Sequence, residues 1–171
     1  STEDFDIAGI GKFKTAVVQE EEYLDGVLTQ RALNWFALDK TTNSVYAFGE
    51  VSWEIEEGKP VLAGTWRAGE LDGDMVAEPG LLMPGTFTVG GRYLFDGGRV
   101  NSGGSENMES GIEMTVPAGT FKALVVRSKL KQKGFPFGSG TRTMWFEPKK
   151  GLVKLVFQHG DGSVSTVDRL R

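Results

Sequence analysis

Cysteine is absent from this 171-residue sequence, and histidine occurs once, at position 159. Without thiols there is no disulfide, no thiolate nucleophile and no cysteine-held metal. One imidazole cannot build the convergent ring set of a zinc or copper site. Asp72-Gly73-Asp74 and Asp161-Gly162 are fragments of calcium loops without the distal bidentate glutamate, and read as acidic turns. No cofactor is therefore expected. Positive charge is scarce too: 19 Lys and Arg stand against 23 Asp and Glu, a net charge of −4. A phosphate backbone needs a concentrated cationic face, so nucleic acid is not an expected partner. The one basic run, Arg127, Lys129, Lys131 and Lys133, has a period of two, which puts all four on the same solvated face of a strand. No apolar stretch approaches the roughly 18 residues a membrane-spanning helix needs. Gly9-Ile10-Gly11 precedes a strand rather than a helix, so no helix terminus is available to cradle a phosphate. No Gly-x-Ser-x-Gly elbow occurs. A start at Ser1 without Met reads as a trimmed or mature form.

Glycine, in contrast, is abundant. Its 24 copies are about twice the share expected at the average usage of ~7%. They fall between short segments in which apolar residues alternate, the pattern of strands joined by tight turns. The alternation predicts strands over Lys12–Tyr23, Val27–Leu38, Val45–Ile55 and Pro60–Arg67, joined as a meander. Residues 1–11 read as a loose N-terminal arm. The rhythm breaks over Ala68–Thr86, a stretch long enough to be functional or to pack as a lid. It resumes over Phe87–Phe95, pauses in a Gly/Ser/Asn loop over Asp96–Ser110, and continues through Gly111–Val116, Phe121–Lys131, Thr141–Glu147, Leu152–Gln158 and Ser163–Leu170. Nine or ten antiparallel strands with no helix to cover them must curl or fold into two layers. The expected fold is a single all-β domain, an antiparallel meander forming a closed or partly open β-barrel, with a two-layer sandwich as the alternative.

Residues with reactive potential are thinly spread. Glu20, Glu21 and Glu22 run together, and Glu50 and Glu54 share a strand face; facing carboxylates inside a barrel would suit acid–base hydrolysis. Solvent-facing or edge-protecting strand positions account for them more cheaply. His159 and Asp161 share a Gly-flanked turn, and a serine triad through His159 would have to assemble in space. Aromatic residues (Trp35, Trp53, Trp66, Trp145, Phe36, Phe48, Phe146) read mainly as core. Two apolar stretches fall instead in loops: Leu81-Leu82-Met83, and Phe135 with Phe137 in Gly134–Gly138. Apolar loop residues either fold over a barrel mouth or present a surface to a ligand, lipid or partner.

Several segments line up, in order, with one family. Val116-Pro117-Ala118-Gly119-Thr120-Phe121 resembles the turn and strand of TapB-like proteins, exported bacterial β domains. Val45–Glu50, Gly64–Gly69 followed by Pro79–Pro84, Val89–Tyr93 and Gly151–Lys154 resemble further segments of that family, so the likeness runs from about Lys12 to Lys154. Glu70–Ala77, Leu94-Phe95-Asp96 and Glu147-Pro148-Lys149-Lys150 depart from it. The resemblance implies a periplasmic or cell-surface protein and carries over no catalytic residue. With it, the leading expectation is a non-enzymatic envelope protein that binds an apolar small molecule or lipid in a barrel-like interior. The residues expected to line that site are Trp66, Leu81, Leu82, Met83, Tyr93, Phe135, Phe137 and Trp145. A module docking another envelope protein through its apolar loops is the alternative, and a carboxylate hydrolase the third reading.

Overall fold

The computed structural model describes residues 1–96, 101–132 and 139–170. Among these the regular structure is all strand, and every pairing is antiparallel. The chain is all-β, as its period-two pattern predicts. No helix is long and apolar enough to cross a membrane among the described residues. Ser1–Thr86 and Asp96 form one compact unit; Phe87–Phe95 and the described residues from Asn101 onward form a second.

In the first unit, β1 (Thr2–Ile7), β2 (Gly11–Leu24), β3 (Val27–Leu38), β4 (Val45–Glu56) and β5 (Lys59–Arg67) follow one another in a meander. Two of its hairpins are closed by the residues their geometry demands. Asp25-Gly26 and Glu57-Gly58 each have positive φ at both positions, 50° and 80° in the first and 49° and 77° in the second. That is a two-residue turn whose twist matches the strands it joins. The N-terminal residues expected as a loose arm instead form β1, pairing with β2 from Thr2↔Ala16 to Ile7↔Gly11. Its alternation explains why: Phe5 and Ile7 point into the core while Asp4 and Asp6 face solvent.

The sheet is strongly curled. β1 and β5 stand at opposite ends of the strand order, about 19 Å apart in a flat sheet at ~4.8 Å per strand. Yet Arg67 Nη2 on β5 donates to Glu3 Oε1 on β1 at 2.5 Å. The Arg67 guanidinium lies 4.4 Å from the Phe5 ring centre and 4.7 Å from that of Trp35 on β3. Trp35 Nε1 donates to the other Glu3 oxygen at 2.7 Å. Around this clamp pack Phe5, Ile7, Trp35, Ala37, Phe48 and Ala68, with Phe5 edge-on to Trp35 and Phe48. Gly49 faces Trp35 across β3 and β4. A Cβ there would lie 2.8 Å from the Trp66 carbonyl oxygen and 3.4 Å from the Trp35 ring, so glycine is what lets the β5 backbone approach β4 this closely.

The stretch 68–86, expected to be without regular structure, is largely structured. β6 (Leu71–Asp72) and β7 (Met75–Val76) make a small hairpin, and β8 (Gly80–Met83) adds to β4 through Ala47↔Gly80, Tyr46↔Leu81 and Val45↔Met83. β8 thereby takes up the part of the β4 edge that β5 leaves open.

The second unit is another meander: β9 (Arg92–Asp96), β10 (Asn101–Val116), β11 (Gly119–Gln132), β12 (Gly140–Glu147), β13 (Gly151–His159) and β14 (Val164–Asp168). Residues 101–110, expected within a loop, are the first half of β10. The ladder to β11 absorbs Met108 and Gly111 as extra residues, and Gly111 takes the positive φ of 73° that one of these irregularities requires. Along β11 burial changes face. Phe121, Ala123 and Val125 are buried at one end, and Val126 and Ser128 at the other.

Truncating Arg67 should loosen the first unit. Arg67→Ala removes the cation held over two rings and leaves Glu3 without its partner. A loss of about 2 kcal/mol is expected by urea denaturation, and unchanged stability would show that the clamp is incidental. The Arg67 and Trp35 hydrogen bonds hold the Glu3 carboxyl below its ordinary value of 4.5. Its contribution is therefore present above pH 4.5 and fades as pH falls through the lower folded-state value. Glu3→Gln should flatten that part of the acid-side stability curve; an unaltered curve would exclude Glu3 as a source of it.

Candidate functional site

Period-two alternation turns Phe13 and Thr15 on β2 and Trp35 and Ala37 on β3 inward. Phe13, Trp35 and Ala37 thus come to lie beside Phe48, which sits at the irregularity where β4 changes register against β3. The Phe13 and Phe48 rings meet at a tilt of 50° with their centres 4.9 Å apart. Both line a cleft of about 430 Å³ at the end of the sheet where β1 turns into β2 and β3 turns into β4. Ile10 from the first turn, Leu38 at the end of β3, Tyr46 on β4 and Pro79 ahead of β8 supply apolar walls, and Asp39 and Lys40 mark the rim. The volume falls in the range of about 300–1,000 Å³ typical of small-molecule sites. Ile10 and Leu38 are 54% and 55% exposed, so the rim presents apolar surface to water.

The rim is well anchored. Asp39 Oδ1 accepts the Thr41 amide at 2.8 Å and Oδ2 accepts the Thr42 hydroxyl at 2.7 Å. These bonds, the Thr42 hydroxyl foremost, hold the Asp39 carboxyl below its ordinary value. The Asp39 amide donates to the Ser44 carbonyl, and the Gly85 amide to the Ser44 hydroxyl at 3.0 Å. Asn43 completes the loop at φ 58°. A second cleft of about 230 Å³ lies among Gln19, Arg31, Leu33, Trp53, Ile55 and Pro60. Arg31 is paired there with Glu21 at 2.9 Å, and the smaller volume leaves less room for a ligand.

The residues expected to line a site are dispersed. Leu81, Leu82 and Met83 are half-buried on β8, with Leu81 opposite Tyr46 in the ladder. Trp66 is half-buried on β5 against the core around Trp35. Tyr93 on β9 and Trp145 on β12 belong to the second unit and are half-buried. Phe135 and Phe137 lie outside the described residues. The cleft is built chiefly from residues that sequence patterning assigns to core, turn or strand end, namely Phe13, Phe48, Ile10 and Leu38. The signal available in advance was an isoleucine flanked by two glycines and a leucine ending a strand before a polar loop.

The second unit carries a polar row across one sheet face. Ser105, Ser128, Arg142, Phe157 and Ser165 are successive cross-strand partners from β10 to β14. The Ser105 and Ser128 hydroxyls are 2.7 Å apart and buried. Burial pushes the Tyr93 phenol up to about 12, opposed by a hydrogen bond with Ser105 and by the Arg142 charge. His159 Nε2 and Ser165 Oγ lie 2.7 Å apart, and the imidazole stacks on Phe157 with ring centres 4.2 Å apart. Asp161 accepts the Ser163 amide and hydroxyl within its own turn. The His159–Ser165 bond joins β13 to β14, and neither residue lines either cleft described above. Glu20, Glu22, Glu50 and Glu54 lie on β2 and β4 of the first unit and His159 in the second, so the carboxylates and the imidazole sit in different units. No group of His, Asp and Glu among the described residues is arranged to hold a metal ion.

Comparison of the chain with family models, curated proteins and solved structures yields no match.

Alkaline titration tests the surroundings of Tyr93. The hydrogen bond to Glu21 raises the Tyr23 phenol above its ordinary value of 10 as well, and the folded protein should release the Tyr93 phenol near 12. A neutral phenol favoured by folding contributes stability that is intact below pH 10 and lost as pH rises toward 12. Tyr93→Phe should abolish the late phenolate absorbance step; a step that persists in the variant would contradict this assignment.

Proposed function

We propose that this protein is a non-enzymatic binding protein that takes an apolar small molecule or lipid chain into the cleft of its first unit. The observation that carries the reading is an apolar cleft lined by the half-buried Phe13 and the buried Phe48 and edged by the exposed side chains of Ile10 and Leu38. Apolar surface gathered in a concavity gains free energy when a ligand displaces its water, at roughly 25 cal/mol per Å² covered. The likeness to TapB-like proteins supports an exported protein acting in the periplasm or at the cell surface of a bacterium, where such a ligand would be an envelope component.

A second reading, docking to another envelope protein, draws on the β6–β7 hairpin, where Leu71, Met75 and Val76 are all exposed. Leu81–Met83, expected to be one of the docking loops, is instead half-buried in β8.

Titration with a neutral fluorescent apolar probe such as N-phenyl-1-naphthylamine separates these readings. Saturable binding at one site is expected, blocked by Leu38→Trp, which fills the cleft from its exposed rim. Binding that survives this substitution, or that never saturates, would sink the cleft reading. If binding is absent while Leu71→Ser weakens association with an envelope fraction, docking becomes the better account.

A further inference from the structure

The polar groups around the cleft differ in how far they are already engaged. Both Asp39 oxygens accept hydrogen bonds from the next two threonines, which turns that carboxylate into its own loop. Lys40, the next residue, is exposed and makes no ion pair or hydrogen bond among the described residues. Its backbone is held by the anchored loop, so its ammonium stays within one side-chain length of the cleft that Lys40 helps to line. Tyr46, half-buried on the wall, likewise has no hydrogen-bond partner for its hydroxyl among the described residues. The uncommitted polar groups are thus an ammonium, which only donates and carries charge, and a phenolic hydroxyl, which can donate, beside the cleft residues Phe13, Ala37 and Phe48.

A ligand that matches this arrangement has an apolar body and an acceptor head group of negative charge. We propose that the cleft selects a single-chain amphiphile with a carboxylate head group, its chain against Phe13 and Phe48 and its head group on Lys40, with the Tyr46 hydroxyl as a second donor. This rests on the cleft being a ligand site, as argued above, and adds the class of ligand it takes. The long aliphatic stem of Lys40 suits it to this position, because it can lie along apolar surface while its ammonium stays at the water boundary.

The test compares three probes of equal chain length and different charge, octanoate, 1-octanol and octylammonium, by competition against N-phenyl-1-naphthylamine. Octanoate is expected to bind about three- to fivefold more tightly than octanol, the gain an exposed ion pair supplies, and octylammonium more weakly than either. Lys40→Met should bring octanoate level with octanol, while Lys122→Met, a change on the exposed face of β11, should leave the preference intact. Lys40 is exposed, and its replacement is not expected to disturb folding; the octanol affinity of the variant provides the check. Equal affinities for all three probes would overturn the head-group assignment while leaving the cleft reading standing. Tighter binding of octylammonium would overturn it in favour of Asp39 as the group that reads charge. Failure of every probe, with no displacement of the dye, would overturn the cleft reading itself.

Discussion

The curl of the first unit brings together an ion pair between its first and last meander strands, Glu3 on β1 and Arg67 on β5. Arg67 lies at the end of the meander opposite Glu3, and the sheet must bend until the two meet. Their pairing is supported on every side: Glu3 accepts from Trp35 as well, Arg67 lies over Phe5 and Trp35, and Glu70 approaches the guanidinium at 3.4 Å. A guanidinium tolerates such a place because it is planar and weakly hydrated, so it stacks on rings while its edge donates to a carboxylate. The buried Thr15 hydroxyl donates to the Glu3 carbonyl at 2.8 Å, which fixes the β1 backbone at the same point.

The cleft is a consequence of that curl. A flat sheet would spread Phe13, Ala37 and Phe48 over an open face, whereas the curled one gathers them into a concavity. The clamp holds the middle of the sheet with large aromatic side chains, and at the end beyond it the lining changes to Ile10, Leu38 and Pro79. The Asp39–Ser44 loop and β8 then set the walls, the loop through its internal hydrogen bonds and β8 through its ladder to β4. Core packing and the cleft therefore share residues: the buried Phe48 contacts Phe5 and also bounds the cleft.

Strands with one apolar face were legible in advance because alternation is a local property. β2 to β5 and β11 to β13 fall where the pattern predicts them, and the Asp25-Gly26 and Glu57-Gly58 turns are set by the residues that tolerate positive φ. β1 escaped notice because its two inward residues, Phe5 and Ile7, are too few to establish a period among Glu3, Asp4 and Asp6. The first half of β10 escaped because Gly103, Gly104, Ser105, Glu106 and Asn107 offer no apolar signal, and it is a strand because β11 supplies a partner for its backbone. β8 had the same cause: Gly80–Met83 reads as a sticky loop until β4 presents an edge with unpaired backbone groups.

The linear order of residues thus determined the class of structure, the positions of the tight turns and the exclusion of thiol and histidine-based metal chemistry. Each of these follows from residue type and spacing within a few positions. Which face of β11 is buried at either end, the meeting of Glu3 with Arg67 and the gathering of Ile10, Phe13, Leu38 and Phe48 around one cavity were settled by folding in three dimensions. Those features join residues up to 64 positions apart, through sheet curvature and changes of register between strands. Neither leaves a mark on the alternation of a single strand, because curvature and register belong to pairs of strands.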